Sequence, residues 1–256
     1  MQKRILAGVA LVCLGLFGAF LAVPAAQAQQ QQMEPSLYTY VAFWGVPRAQ
    51  WGDIEKAYAN SRPVLEKLVA DGTLVSWGSS SAVVHDPSGM THNNWFQASS
   101  MAGILKALDA LQPTAQDPVF GNSKHFDFFL RTISHGGKAA SLNSGYLVVF
   151  MWPVKPGEND AFEEIFRKYY KPLLDDGIAR GSVTMYNFDV QEIHTDNPVW
   201  HYVAVVVPDA AAVDKLYASI SGLIEGNAAL GPAFGTLVDF AAHRDMLAHI
   251  ISYQHK

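Results

Sequence analysis

Two segments of the chain read His-x-Asp: His125-Phe126-Asp127 and His243-Arg244-Asp245. On a β-strand residues i and i+2 share a face, so each histidine lies beside its carboxylate. A carboxylate next to an imidazole raises its basicity and fixes its tautomer, which a general base requires. The same pair would suit a metal if His85 or His194 joined it, giving two histidines and one carboxylate. A hydrogen bond that only caps the start of a strand is the structural alternative. Spacing alone leaves all three open.

The remaining chemistry-bearing residues are histidines and large aromatics. All nine histidines fall in or beside predicted strands, in a linker or in the C-terminal tail. Trp95 and Trp200 occupy similar places in two predicted strands, and His85 and His194 end two others. These four are the candidate ligand-binding residues, because tryptophans facing an unfilled cavity favour a flat apolar molecule. Trp44, Trp77 and Trp152 read as core or cavity wall, and Asn93-Asn94-Trp95 is a polar–aromatic cluster of the kind such a site uses. The chain has no Gly-x-Gly-x-x-Gly, Walker, Gly-x-Ser-x-Gly or His-Glu-x-x-His sequence. Nucleotide dependence, serine hydrolysis and zincin chemistry therefore have no support.

The elements that must position these residues are written twice. Placing residue i against i+109 aligns residues 37–85 with 146–194 without a gap, matching Pro63 to Pro172, Gly72 to Gly181 and His85 to His194. Each copy opens on a β-branched and aromatic run, Tyr38–Trp44 and Tyr146–Trp152. An amphipathic helical pattern follows; Pro63 and Pro172 are expected to break or kink it, and Gly72 and Gly181 to end it. Two strands come next (about 73–85 and 92–99, then 182–194 and 199–207), then a shorter helix (101–111 and 209–224). A Pro-x-Phe-Gly loop (Pro118 and Pro232) leads to a last strand carrying His-x-Asp. In that strand Phe126, Phe128 and Leu130 are expected to pack on helices, which would send His125 and Asp127 towards a cavity.

The order is β-α-β-β-α-β, twice, a tandem ferredoxin-like α+β arrangement. The four-stranded sheet of such a unit has helices on one face only, so the two copies are expected to pack sheet to sheet as an α/β barrel within one chain. The boundaries read as a signal peptide over 1–28, a flexible spacer over 29–36, a first repeat over 37–134, a linker over 135–144 and a second repeat over 145–256.

From Tyr38 to Tyr253 the chain resembles the dimeric α/β-barrel superfamily, which contains antibiotic-biosynthesis-monooxygenase-like and stress-responsive barrel proteins. The resemblance implies a central cavity between two sheets, used by different members for small-molecule oxidation, haem binding or ligand transport. Haem-binding relatives carry the iron ligand on a helix. No histidine here falls in a predicted helix, so no cofactor is expected.

Composition bounds the rest. Half of the 256 residues are apolar and 16% are charged, with 18 Lys+Arg against 23 Asp+Glu, which excludes a disordered tail protein. A pI near 6.0 gives no basic footprint for nucleic acid. Lys3-Arg4, the apolar run Ile5–Val23 and the small residues up to Ala28 read as a secretory signal. Its removal takes away the only cysteine, so the mature chain forms no disulfide or thiolate site. The expected product is a periplasmic or secreted protein, free of the membrane after cleavage, a monomeric pseudo-dimer or a homodimer. Its expected role is to bind a small hydrophobic or aromatic molecule between the sheets. A cofactor-independent monooxygenase-like enzyme with a His-Asp base, or a metal-binding protein using strand His and Asp, are the competing readings.

Overall fold

The computed structural model describes residues 36–85, 87–194 and 199–256; the signal-peptide reading lies outside them. The first half runs β1 (Leu37–Gly45), α1 (Trp51–Ala70), β2 (Ser76–Ala82), β3 (His92–Ala98), α2 (Met101–Leu111), α3 (Pro118–Gly121) and β4 (Lys124–Gly137). After β5 (Ala140–Leu142), the second half runs β6 (Tyr146–Pro153), α4 (Asn159–Ile165), α5 (Lys171–Arg180), β7 (Met185–Gln191), β8 (Trp200–Val207), α6 (Ala210–Glu225), α7 (Leu230–Leu237) and β9 (Arg244–His255). The expected β-α-β-β-α-β order is present in both halves.

Within each half the sheet orders its strands β2-β3-β1-β4 and β7-β8-β6-β9. Such a sheet has two free edges, and each edge is paired with the other half. β4 joins β7 and β9 joins β2, both antiparallel, so eight strands close into a barrel. Both seams contain a bulge that leaves one isoleucine without a partner, Ile133 in β4 and Ile251 in β9. A bulge adds local bend and twist, which a sheet needs in order to close on itself. Residues 135–137, read as linker from sequence, extend β4 along β7, and β5 pairs with the end of β9.

Local chemistry explains the helices. Ser100 and Asp209 accept the backbone N–H three residues on, at 3.1 and 2.8 Å, and so cap α2 and α6 at matching positions. Gly72 and Gly181 take φ of 79° and 77° after α1 and α5, the left-handed conformation that favours glycine. Pro63 sits inside an unbroken α1. Pro172 instead follows a π-helical turn, Phe166–Tyr170, that separates α4 from α5.

That turn corrects the ungapped alignment. Strand pairing matches Val41 to Val149 and Trp44 to Trp152, an offset of 108. Buried Ile54 and Tyr58 correspond to buried Phe162 and Phe166 at the same offset, whereas Leu68 and Gly177 correspond at 109. The second half carries one residue more than the first between these points, and the π-turn accommodates it.

Three apolar regions result: one between the helices and the sheet of each half, and one inside the barrel around Leu130, Leu147, Val206 and Tyr253. Inside the barrel Gly78 faces Trp95, whose ring would lie 2.3 Å from a Cβ at that position. Gly78→Ala is therefore expected to displace Trp95 and cost about 1–3 kcal/mol, read as a lower urea midpoint with an unchanged m-value.

Candidate functional site

Register assigns every strand residue to the barrel interior or to the helix side. On the helix side of the first half, three rows cross the sheet in β2-β3-β1-β4 order: Ser81-His92-Trp44-His125, Ser79-Asn94-Ala42-Asp127 and Trp77-Phe96-Tyr40-Phe129. The second half repeats the rows as Val190-His201-Trp152-His243, Phe188-Val203-Phe150-Asp245 and Tyr186-Val205-Val148-Leu247, with His243 one step beyond the last paired residue of β9.

This register reverses the expected facing of β4. Phe126, Phe128 and Leu130 point into the barrel, where Phe128 meets Tyr202 at 5.7 Å. His125 and Asp127 stand on the helix side with Trp44 and Ala42. Both faces of a barrel sheet are covered, so an apolar row by itself does not mark the face that meets helices. Trp95 and Trp200 are likewise not equivalent. The counterpart of Trp95 is Ala204, and Trp200 lies at the barrel mouth.

The first His-x-Asp pair belongs to a larger cluster. The His125 ring stacks on Trp44 at 4.0 Å, and its Nε2 stands 3.8 Å from Asp127 Oδ2. The Tyr40 hydroxyl donates to the same oxygen at 2.7 Å. Trp44 Nε1 donates to Asn94 Oδ1 at 2.8 Å, which fixes both side chains. Burial pushes the His125 ring below the ordinary histidine value, and Asp127 offsets this only in part. Burial thus disfavours the charged imidazolium here. Burial, followed by the Asp127 contact, pushes the Tyr40 phenol well up, so it remains a donor. In the second half His243 stacks on Trp152 at 3.7 Å, with Nε2 3.0 Å from Asp245 Oδ1.

The middle row distinguishes the halves. Phe150, Phe188 and Val203 fill the space under the helices of the second half, packed with Phe162, Phe166 and Phe234. Their counterparts Ala42, Ser79 and Asn94 are small or polar, and a pocket of about 250 Å³ opens there. Its floor is Tyr40, Trp77 and Asn94, its roof Tyr58 and Leu108, and His125 lies at its edge. The space between the two half-sheets is different: side chains fill it down to about 50 Å³. It widens at one mouth into an open cleft of about 840 Å³. His125 and Asp127 line that cleft as well, from the other side of the strand end.

His85 and His194 are exposed beyond the ends of β2 and β7, and neither lines these three cavities. Among the described residues, no three His, Cys, Asp or Glu side chains gather as a metal ion would need. Sequence reasoning missed Tyr40, Tyr58, Ala42 and Ser79. The first two looked like ordinary apolar periodicity, and the last two matter only through what their counterparts are.

No protein-family model matches the chain, and no curated protein matches it by sequence. Solved structures match its fold. A candidate monooxygenase from Fusobacterium nucleatum superposes with a TM-score of 0.64 at 10% identity, over 86% of this chain and 94% of that one. A candidate monooxygenase from Lactobacillus acidophilus gives 0.62 at 12% identity, over 87% and 97%. An anthrone oxidase-like protein gives 0.52 at 12% identity, over 87% and 94%. The protein thus has the dimeric α/β-barrel fold.

The buried members of the histidine row set its response to acid. His92 and His201 are almost fully buried, and among the described residues neither ring nitrogen of His201 has a hydrogen-bond partner. Burial lowers both to about 4, helped by His85 at His92 and by Arg131 at His201. As pH falls from 6.5 towards 4, the unfolded chain takes up protons that these folded rings refuse, so stability falls. Asp189, raised by burial to about 7, acts oppositely: it weakens the fold as pH rises from about 4 to 7. His201→Phe, whose neighbours are Phe162 and Phe188, is expected to gain stability relative to the wild type as pH drops from 6.5 to 4. Urea midpoints of the two proteins across that range check it.

Proposed function

We propose that this protein binds a small, flat aromatic molecule in the helix-side pocket of its first half. The observation that carries the reading is the middle row, where Ala42, Ser79 and Asn94 stand in place of Phe150, Phe188 and Val203. The same fold position is solid in one half and open in the other. Aromatic walls suit a flat apolar ligand, and Asn94, Tyr40 and His125 offer polar groups that fix its orientation. The reading places the ligand beside the first-half sheet rather than in the filled centre between the sheets.

A second reading, favoured by the Tyr40–Asp127–His125 cluster, is turnover of that ligand without a cofactor. His125 would take the proton of a phenolic or enolic hydroxyl, Asp127 would stabilise the resulting imidazolium, and the substrate anion would reduce dioxygen, one oxygen atom entering the product as a carbonyl and the other leaving as water with the returned proton. Two of the structures with this fold are candidate monooxygenases and a third is anthrone oxidase-like. The open pocket favours His125 and Asp127 over His243 and Asp245 for this role. Export, with the leader removed after Ala28, and action as a monomer whose barrel closes within one chain complete the proposal.

Titration with 1-naphthol tests binding. Ala42→Phe and Ser79→Phe, checked for folding by circular dichroism, are expected to weaken affinity at least tenfold, and Phe150→Ala is expected to leave it unchanged. Wild-type affinity in both pocket-filling variants would sink the assignment. Oxygen consumption with anthrone tests turnover. His125→Ala is expected to lower it by about 10²-fold or more, the usual loss of a general base, with His243→Ala near the wild-type rate. No oxygen uptake by the wild type, or equal loss in both variants, would remove the enzymatic reading.

A further inference from the structure

The barrel mouth is built differently from the helix-side pocket. It is lined by equivalent residues of the two halves, Phe43 and Met151, Phe128 and Met246, and, from the strand ends, Asp127 and Asp245. The small chamber beneath it shares Phe43, Phe128, Met151, Tyr202 and Met246 with the cleft, so cleft and chamber form one stepped space along the barrel axis. A carboxyl group stands in that chamber. Asp189 is 2% exposed, and the Thr132 hydroxyl donates to its Oδ1 at 2.6 Å. Its counterpart in the first half is Ser80, so the fold itself does not require an acid there.

We propose that the barrel mouth is a separate binding site for an organic ammonium ion, its apolar body between the aromatic walls and its cationic head directed down the axis towards Asp189. A buried carboxylate is costly unless a cation meets it. Among the described residues no lysine, arginine or histidine lines the chamber, so a bound ligand is what can bring that charge. The rim selects the same sign: Asp127 and Asp245 stand there against one guanidinium among the described residues, that of Arg244, and burial disfavours the charged form of His92 and His125. Phe126, Phe128 and Trp200 supply π-faces that attract a cation and cover an apolar body. An anion meets three carboxyl groups at this site. A neutral molecule leaves Asp189 without a counter-charge. Burial already raises this carboxyl to about 7, so an arriving cation favours its ionised form.

The test is calorimetric titration with benzyl-, 2-phenylethyl- and 4-phenylbutylammonium chloride, each beside the alcohol of the same skeleton. The expected result is at least one ammonium ion binding tenfold or more tightly than its alcohol. Asp189→Asn, which keeps a hydrogen-bonding group for Thr132, is expected to abolish that preference. Met246→Lys, which tethers a cation in the chamber, is expected to weaken the ammonium ion at least tenfold and covers the case in which Asp189→Asn fails to fold. Ala42→Phe is expected to leave the preference intact, which separates this site from the aromatic pocket of the first half. Equal affinity for ammonium and alcohol, no binding of any probe, or a preference that survives Asp189→Asn or Met246→Lys overturns the proposal.

Discussion

The structure depends on the pairing of sheet edges. A four-stranded ferredoxin-like sheet has helices on one face, a bare apolar second face and two edges with unpaired backbone groups. The β4–β7 and β9–β2 ladders satisfy both edges, and closing the ring buries the bare faces against each other. The unpartnered Ile133 and Ile251 mark where each long strand bends from its own half to the other. Neither half could be removed without exposing a face and two edges at once. Every side chain that lines a cavity is placed by this register, since one residue of slip would move it to the opposite side of the wall.

Within that symmetric frame the two halves have diverged in volume rather than in chemistry. Both retain Trp stacked on His, a carboxylate two residues on, and a buried second histidine across the strand pair. What differs is the filling of the adjacent row. Burying an aromatic side chain such as Phe150 or Phe188 contributes about 1.5–3 kcal/mol, and the first half forgoes this at Ala42 and Ser79. The second half gains packing, and the first half gains space beside its histidine-carboxylate pair. The same histidine-carboxylate pair therefore stands against packed side chains in one half and beside an open pocket in the other.

Much of the fold was legible in the sequence because it follows from local periodicity. Runs such as Tyr146–Trp152, the glycines after α1 and α5, and the repeated element order each rest on neighbours a few residues away. The facing of β4 was not legible, because both faces of a barrel strand are buried and Phe126-x-Phe128-x-Leu130 fits either. The one-residue gain in the second helix was hidden for a related reason. A π-turn restores the helical phase, so an ungapped comparison matches the helix ends while misplacing the first strands by one residue and inverting their faces. The pairing of Trp95 with Trp200 failed differently: both lie on the barrel side, but the strand register matches Trp95 to Ala204, four residues further on.

The sequence by itself determined the duplicated α+β order, the lack of a nucleotide or zincin motif, and the two His-x-Asp pairs as the residues to watch. Those are properties of spacing along the chain. Tertiary structure decided which face each pair occupies, that Tyr40 rather than a second histidine joins Asp127, that one half is open and the other full, and that Asp189 stands in the interior of the barrel. These depend on contacts between strands that are far apart in sequence, such as β4 with β7. They depend also on comparing a cavity's walls with their counterparts 108 or 109 residues away.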